Sequence, residues 1–168
     1  MALEPGDDVV HSIHGPGRVV AVQMRDTPDG PVEYVTIEVG DMRILIPTSE
    51  VEAVGVRDPI SEEDAEAILE LLAEDPLKDP GHSARRRRNQ KRLLDGDAAA
   101  LAKIVRSLQA LREDRDKPLA MRDKDHLRSA TAKLAGELAI ALKVTEEEAA
   151  SLIERATATD EAEADAEA

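Results

Sequence analysis

Hydrophobic positions repeat with two different periods along the chain, and the change falls near Pro59. Before it, short β-branched runs are separated by Gly, Pro and Asp, a pattern typical of strands joined by tight turns. The runs lie at residues 8–11, 18–23, 32–39 and 41–46, with a predicted turn at Gly15-Pro-Gly17. Four or five strands in so short a segment predict a small Tudor- or SH3-like β-barrel.

After Pro59 the apolar residues fall at helical spacing and predict an all-α domain. Five helices are expected, with Ser61, Asp97 and Thr145 as caps of the first, third and fifth. The second should begin near Ser83 and the fourth near Ala120 or Asp123. Gly96 is the predicted stop of the second helix. The fold class is therefore α+β in two domains, residues 1–57 and 58–156. The acidic tail over 157–168 lacks periodicity and is predicted to be disordered.

Charge is distributed unevenly. The chain carries a formal net charge of −14, yet residues 81–125 hold 13 Lys and Arg against 7 Asp and Glu. The block Arg85-Arg-Arg-Arg-Asn-Gln-Lys-Arg92 lies at the centre of this region. A basic face on an acidic body favours nucleic-acid binding at a defined place, and the alternative is an Arg-rich solvated helix.

Helical spacing predicts which basic residues act together. Arg85, Arg88 and Arg92 should share one face of the second helix, and Arg86, Arg87 and Lys91 should widen it. If three or four of these side chains contact phosphates, the log–log salt dependence of DNA affinity should have a slope of about −3 to −4.

Composition argues against several classes of protein. The chain has no Cys, Tyr34 is its only aromatic residue apart from His, and no apolar run is long enough to cross a membrane. With so few aromatic residues, it lacks a stacking platform for single-stranded nucleic acid. With no Cys and no membrane-spanning run, a cytoplasmic location is expected. His11 and His14 should face opposite sides of an extended segment, so no metal site is predicted. No catalytic residues and no cofactor are predicted.

Motifs along most of the chain support a family resemblance. They are Gly6-Asp-Asp-Val-Val10, His14-Gly-Pro-Gly17, Pro47 with Gly55-Val-Arg57, Arg85-x-x-x-Asn89-x-x-x-Leu93-x-x-Gly96-Asp97, Val105-Arg-x-Leu108 and Gly136-Glu-Leu-Ala139. In this order they resemble the CarD/CdnL family of bacterial transcription regulators. The resemblance implies a Tudor-like domain that docks on the RNA polymerase β subunit. It also implies a helical domain that contacts promoter DNA, in the minor groove and at phosphates, and changes open-complex stability.

The resemblance also indicates residues for the polymerase contact. Arg25 matches a family position used in that contact, and Arg57 lies in the Gly-Val-Arg match. Leu45 stands where family members often carry a second basic residue, and Arg43, two residues earlier, should point to the same strand face. The alternative for each arginine is ordinary surface solubility. We expect a monomer in the nucleoid, with no membrane contact.

His82 stands where the family places a Trp that wedges into the minor groove. The residues predicted to contact DNA are His82, Arg85, Arg86, Arg87, Arg88, Lys91 and Arg92. Because His is smaller and more polar than the usual apolar wedges, a polymerase-binding paralogue without wedge activity is an open alternative. His82 would then be a simple loop residue. A ribosome- or RNA-associated binding protein is a further alternative.

Overall fold

The computed structural model describes residues 1–114 and 116–158. The chain divides into two compact units, Met1–Pro59 and Ile60–Ala168. The last helix continues to Thr157, where the acidic tail was predicted to begin. The rest of that predicted tail, residues 159–168, lies outside the described part of the chain.

The first unit is an antiparallel sheet of five strands. They are β1 (Asp8–His11), β2 (Gly15–Thr27), β3 (Gly30–Val39), β4 (Met42–Pro47) and β5 (Val56–Arg57), in the order β4-β3-β2-β1-β5. Seven aliphatic residues form its core: Val9, Val19, Val35, Ile37, Ile46, Val51 and Val56. The predicted Tudor-like β domain is confirmed.

The predicted turn at Gly15-Pro-Gly17 is wrong, because these residues belong to β2. Gly15 pairs with His11, which leaves residues 12–14 as the turn. Gly17 is required by a neighbouring strand: a Cβ there would lie 2.6 Å from the Glu38 carbonyl oxygen. The glycine therefore permits close approach of β2 and β3.

In the second unit, the described residues form five helices, as predicted. They are α1 (Glu62–Ala73), α2 (His82–Asp95), α3 (Ala98–Glu113), α4 (Met121–Leu142) and α5 (Glu146–Thr157). Their shared core is almost entirely Leu, Ile, Val and Ala, with Leu101, Ile104, Leu108, Leu134 and Leu138 fully or almost fully buried. Within the described residues, none of these helices is long and apolar enough to cross a bilayer.

Local sequence signals fix most of the helix ends. Asp97 accepts from the Ala100 amide at 3.2 Å to begin α3, and Thr145 and Glu148 form a capping box at α5. Gly96 ends α2 in the left-handed conformation, with φ of 64°. Helix α4 begins after Ala120 without a side-chain cap. Gly96 and Asp97 were both predicted for these roles, and together they form the short connection between α2 and α3.

Candidate nucleic-acid interface

Arg85 is the most deeply buried arginine of the basic block, with 3% of its surface exposed. Its Nη2 donates to Asp123 Oδ2 at 2.9 Å, and its Nη1 donates to Asp79 Oδ2 at 2.8 Å. These bonds tie the first turn of α2 to the first turn of α4. The prediction that Arg85 presents its charge to DNA is therefore contradicted, because the guanidinium is enclosed between two carboxylates.

The pKa values of this pair shift in the directions expected for a buried ion pair. The hydrogen bond to Asp123 raises the pKa of Arg85 and outweighs the opposing effect of burial. Burial alone would raise the pKa of Asp123, but the hydrogen bond and charge of Arg85 exceed that effect and lower it. Both groups are thus held in their charged forms.

The exposed face of α2 differs from the predicted one. Residues 85, 89 and 93, spaced by one helical turn, are buried, and Arg88 and Arg92 flank them half-buried. Burial, with the nearby charges of Arg88 and Arg106, lowers the pKa of Arg92. The solvent-facing basic residues are instead Arg87 and Lys91, with Arg86 at their edge. The predicted set is therefore split between two faces, and only part of it is available to a ligand.

A groove of about 550 Å³ runs between α2 and α4 beside the exposed basic face. Seven residues line it: Arg86, Arg87, Gln90, Lys91, Leu94, Arg122 and His126. Arg122 and His126 come from α4 and were not predicted from the sequence. Their spacing of four residues places them on one helix face, and the contacts of Asp123 with Arg85 and of His126 with Gln90 show that α4 meets α2 here.

His126 is 4% exposed at this groove. Its Nε2 lies 3.3 Å from Gln90 Oε1 on α2. Burial lowers the pKa of His126, and the positive charges of Arg122 and Arg86 act in the same direction, whereas Asp123 and Asp125 oppose them. The ring is therefore held in its neutral form.

His82 is exposed at the first position of α2 and does not line the groove. It follows Gly81, whose φ of 91° suits glycine. Among the described residues of the helical unit, three large apolar side chains are strongly exposed: Leu77, Leu94 and Met121. Of these, Leu94 lies in the groove itself.

In the β unit, Arg25, Arg43 and Leu45 are exposed on one face of the sheet. The strand register places Arg25 opposite Val32 and Leu45 opposite Thr36, positions of the same parity on β3. The Arg25 guanidinium carbon lies 6.0 Å from the Tyr34 ring centroid on this outer face. These three predicted residues therefore share one face but are spread along it, because Arg25 on β2 lies beyond the end of β4, whereas Leu45 and Arg43 lie on β4 opposite Thr36 and Glu38.

Arg57 lies apart from that group. It belongs to β5, the strand at the opposite edge of the sheet, and pairs with Val10. Its Nη1 donates to the Asp58 carbonyl at 3.1 Å. The predicted polymerase-binding residues are therefore spread across the sheet, from β4 at one edge through the central β2 to β5 at the other edge.

The expectation that His11 and His14 face opposite sides is wrong. Their ring centroids are 4.7 Å apart, because residues 12–14 turn the chain back. His11 Nδ1 accepts hydrogen bonds from the Ile13 and His14 amides, so one ring nitrogen is used to hold the turn. Across residues 1–114 and 116–158, no three His, Cys, Asp or Glu side chains cluster as metal ligands would.

Comparison with protein families matches both units. Residues 3–60 match the CarD-like/TRCF RID domain, and residues 67–154 match the CarD C-terminal domain. The first match covers the sheet and the second covers most of α1 and all of α2 to α4. Since the second match alone spans more than half of the chain, it decides the family. The chain belongs to the CarD/CdnL family of RNA-polymerase-interacting transcription regulators, a non-catalytic binding family.

Proposed function

We propose that this protein docks on the RNA polymerase β subunit through its β unit and contacts promoter DNA through α2 and α4. By doing so it modulates the stability of the open complex. The observation that supports the proposed DNA contact is the exposed basic groove on an otherwise acidic protein. The proposed location is the nucleoid, where polymerase and DNA are both present.

The DNA contact is assigned to the basic residues that line the α2–α4 groove. Arg86, Arg87, Lys91 and Arg122 line one groove, and no carboxylate lines it among the described residues. Charges so arranged favour a polyanion and position the protein without reading sequence. Arg85 has a positioning role instead, because it fixes α2 against α4.

The polymerase contact is assigned to the outer face of the sheet beside β4. Arg25 supplies positive charge there, Arg43 is exposed but paired with Glu38 at 3.1 Å, and Leu45 supplies exposed apolar surface. Because β4 is an edge strand, its outer backbone groups can also pair with a partner strand. Docking at this face would raise the local concentration of the basic groove at the promoter, so weak DNA affinity suffices.

The experiment that tests the DNA contact measures duplex affinity against salt for the whole chain. Wild type is compared with R86Q/R87Q/K91Q and with the control R112Q/K117Q/R155Q, which removes the same charge from exposed residues outside the groove. We expect the slope of wild type to be about −3 to −4. The groove variant should be shallower by about 0.9 for each phosphate that it no longer neutralises. Equal slopes for the two triple variants would refute the proposed groove.

A polymerase-bound paralogue without wedge activity is the second candidate function. It is favoured by His82, which occupies the family's Trp position in a chain that has no Trp. The two candidates differ in the open-complex lifetimes of His82→Ala and His82→Trp. Loss of the wild-type effect in His82→Ala supports a working wedge. An effect that appears only in His82→Trp supports the paralogue.

A further inference from the structure

Two residues that line the α2–α4 groove have buried side-chain nitrogen atoms without hydrogen-bond partners. Nδ1 of His126 and Nε of Arg86 are both buried, and neither has a hydrogen-bond partner among the described residues. His126 as a whole is more than nine-tenths buried. A buried polar atom with no partner costs free energy, so such a site favours a ligand that supplies the missing hydrogen bond.

The charged groups around His126 come from both helices, and two of the four are positive. Helix α2 contributes Arg86, and Arg122 lies on α4 itself. The two nearby carboxylates are already engaged, since Asp123 is bound by Arg85 and Asp125 accepts from Arg128 at 2.7 Å. The groove therefore presents excess positive charge around a neutral ring.

We propose that this groove binds a phosphate group of the DNA backbone and that His126 takes up one proton when the phosphate binds. The proposal rests on the DNA contact proposed above and adds to it a specific ligand and a specific proton. Arg86 and Arg122 hold the phosphate by charge, with Arg87 and Lys91 at the rim. Protonation of His126 makes the affinity for the phosphate depend on pH.

The proton binds to Nδ1 of the His126 ring. Because Gln90 Oε1 is an acceptor, it assigns the proton of the neutral ring to Nε2 and leaves a lone pair at Nδ1. A phosphate in the groove adds negative charge and stabilises the imidazolium, so Nδ1 takes a proton from solvent and no bond breaks. By linkage, DNA affinity should rise as pH falls, by at most about tenfold per pH unit.

The first test counts protons in calorimetric titrations of the whole chain with a promoter duplex. Titrations near pH 6.5 in buffers of different ionisation heat give the protons taken up per duplex. His126→Gln preserves a donor to Gln90 and cannot be protonated, and His14→Gln, at an exposed histidine of the β unit, is the matched control. We expect proton uptake by wild type and by His14→Gln, and none by His126→Gln. Uptake that persists in His126→Gln or vanishes in His14→Gln would overturn the proposal.

The second test follows the His126 ring by NMR with three ligands: the duplex, inorganic phosphate and a nucleoside triphosphate. A rise in its pKa with the duplex alone assigns the site to DNA, and Arg122→Gln should then reduce that rise. A rise with the free phosphates but no duplex binding at any pH would leave the phosphate site intact and refute the DNA function. No rise with any of them overturns the phosphate site, even if the duplex binds elsewhere.

Discussion

The ion pair between Arg85 and Asp123 shows how a charged residue serves structure in this protein. Both side chains are almost completely buried, and each satisfies the other across the first turns of two helices. Such a pair adds little over an apolar replacement, but removing one partner leaves a charge uncompensated in the interior. The pair therefore controls the relation of α2 to α4, on which the basic groove depends.

Removing Asp123 should be far more costly than removing the neighbouring Asp125. Asp123→Ala leaves Arg85 with Asp79 only, so we expect a loss of about 3–5 kcal/mol in unfolding free energy. Asp125→Ala breaks the exposed pair with Arg128 and should cost less than about 1 kcal/mol. Urea unfolding followed by the helical circular-dichroism signal measures both. Equal losses would show that the buried pair has no special role.

His126 should make the helical unit less stable in mild acid. Its pKa is lowered in the folded protein, so the unfolded chain takes up a proton first as pH falls through about 6.5. Unfolding free energy should therefore decrease below that pH and level off below the folded value. His126→Gln should lose this dependence, whereas His82→Gln should retain it. A wild-type stability that is flat between pH 7 and pH 5.5 would contradict the lowered pKa.

At this scale the sequence identifies the basic block but not the side chains that reach solvent. Arginine is seldom buried, so Arg85 was expected to face outward. The correct signal was the spacing of Arg85, Asn89 and Leu93, which follows one helix face onto the core. The carboxylate partners lie 6 and 38 residues away, and no local pattern indicates the more distant one.

The exposed and inward faces of α2 should differ in their effect on DNA. R87Q/K91Q removes two solvent-facing charges, and R88Q/R92Q removes two from the half-buried side of the same helix. We expect the first pair to reduce the salt slope of duplex affinity by about 1.8, or 0.9 per phosphate, and the second pair to change it little. If R88Q/R92Q reduced the slope more than R87Q/K91Q, DNA would bind the helix face first predicted from helical spacing.

The capping box of α5 should contribute measurably to stability. Thr145 and Glu148 satisfy two amides at the helix start, so Thr145→Ala should cost about 1 kcal/mol. Ser151→Ala, within the same helix, is the matched control. Its hydroxyl bonds to the Glu147 carbonyl on an exposed turn, so its removal should be close to neutral. Unfolding free energies from urea titration provide the comparison.

Helix starts could be predicted from the sequence because their capping signals are local, whereas the role of Gly17 depends on a distant strand. Ser61, Asp97 and Thr145 cap their own helices through amides three residues away, so sequence alone indicates them. Gly17, in contrast, is required by β3, whose carbonyl oxygen at Glu38 lies 21 residues further along the chain. A Gly-Pro-Gly run indicates a turn until that pairing is known.

The whole molecule joins an acidic body to one basic groove. The change of hydrophobic period near Pro59 was sufficient to predict two domains of different class, and the family matches cover both. The groove could not be predicted, because it requires α4 to lie beside α2. Under the proposed function, this concentration of positive charge would restrict DNA contact to the groove, because the net charge of the rest of the chain is negative and repels a polyanion.

The most direct test of the proposed function is the open-complex lifetime at a ribosomal RNA promoter with the parent polymerase. Wild type, R86Q/R87Q/K91Q and the control R112Q/K117Q/R155Q are compared at equal polymerase occupancy. We predict that wild type and the control change the lifetime alike, and that the groove variant binds polymerase but loses the effect. A groove variant that acts like wild type, or a wild type that does not bind polymerase, would contradict the proposed function.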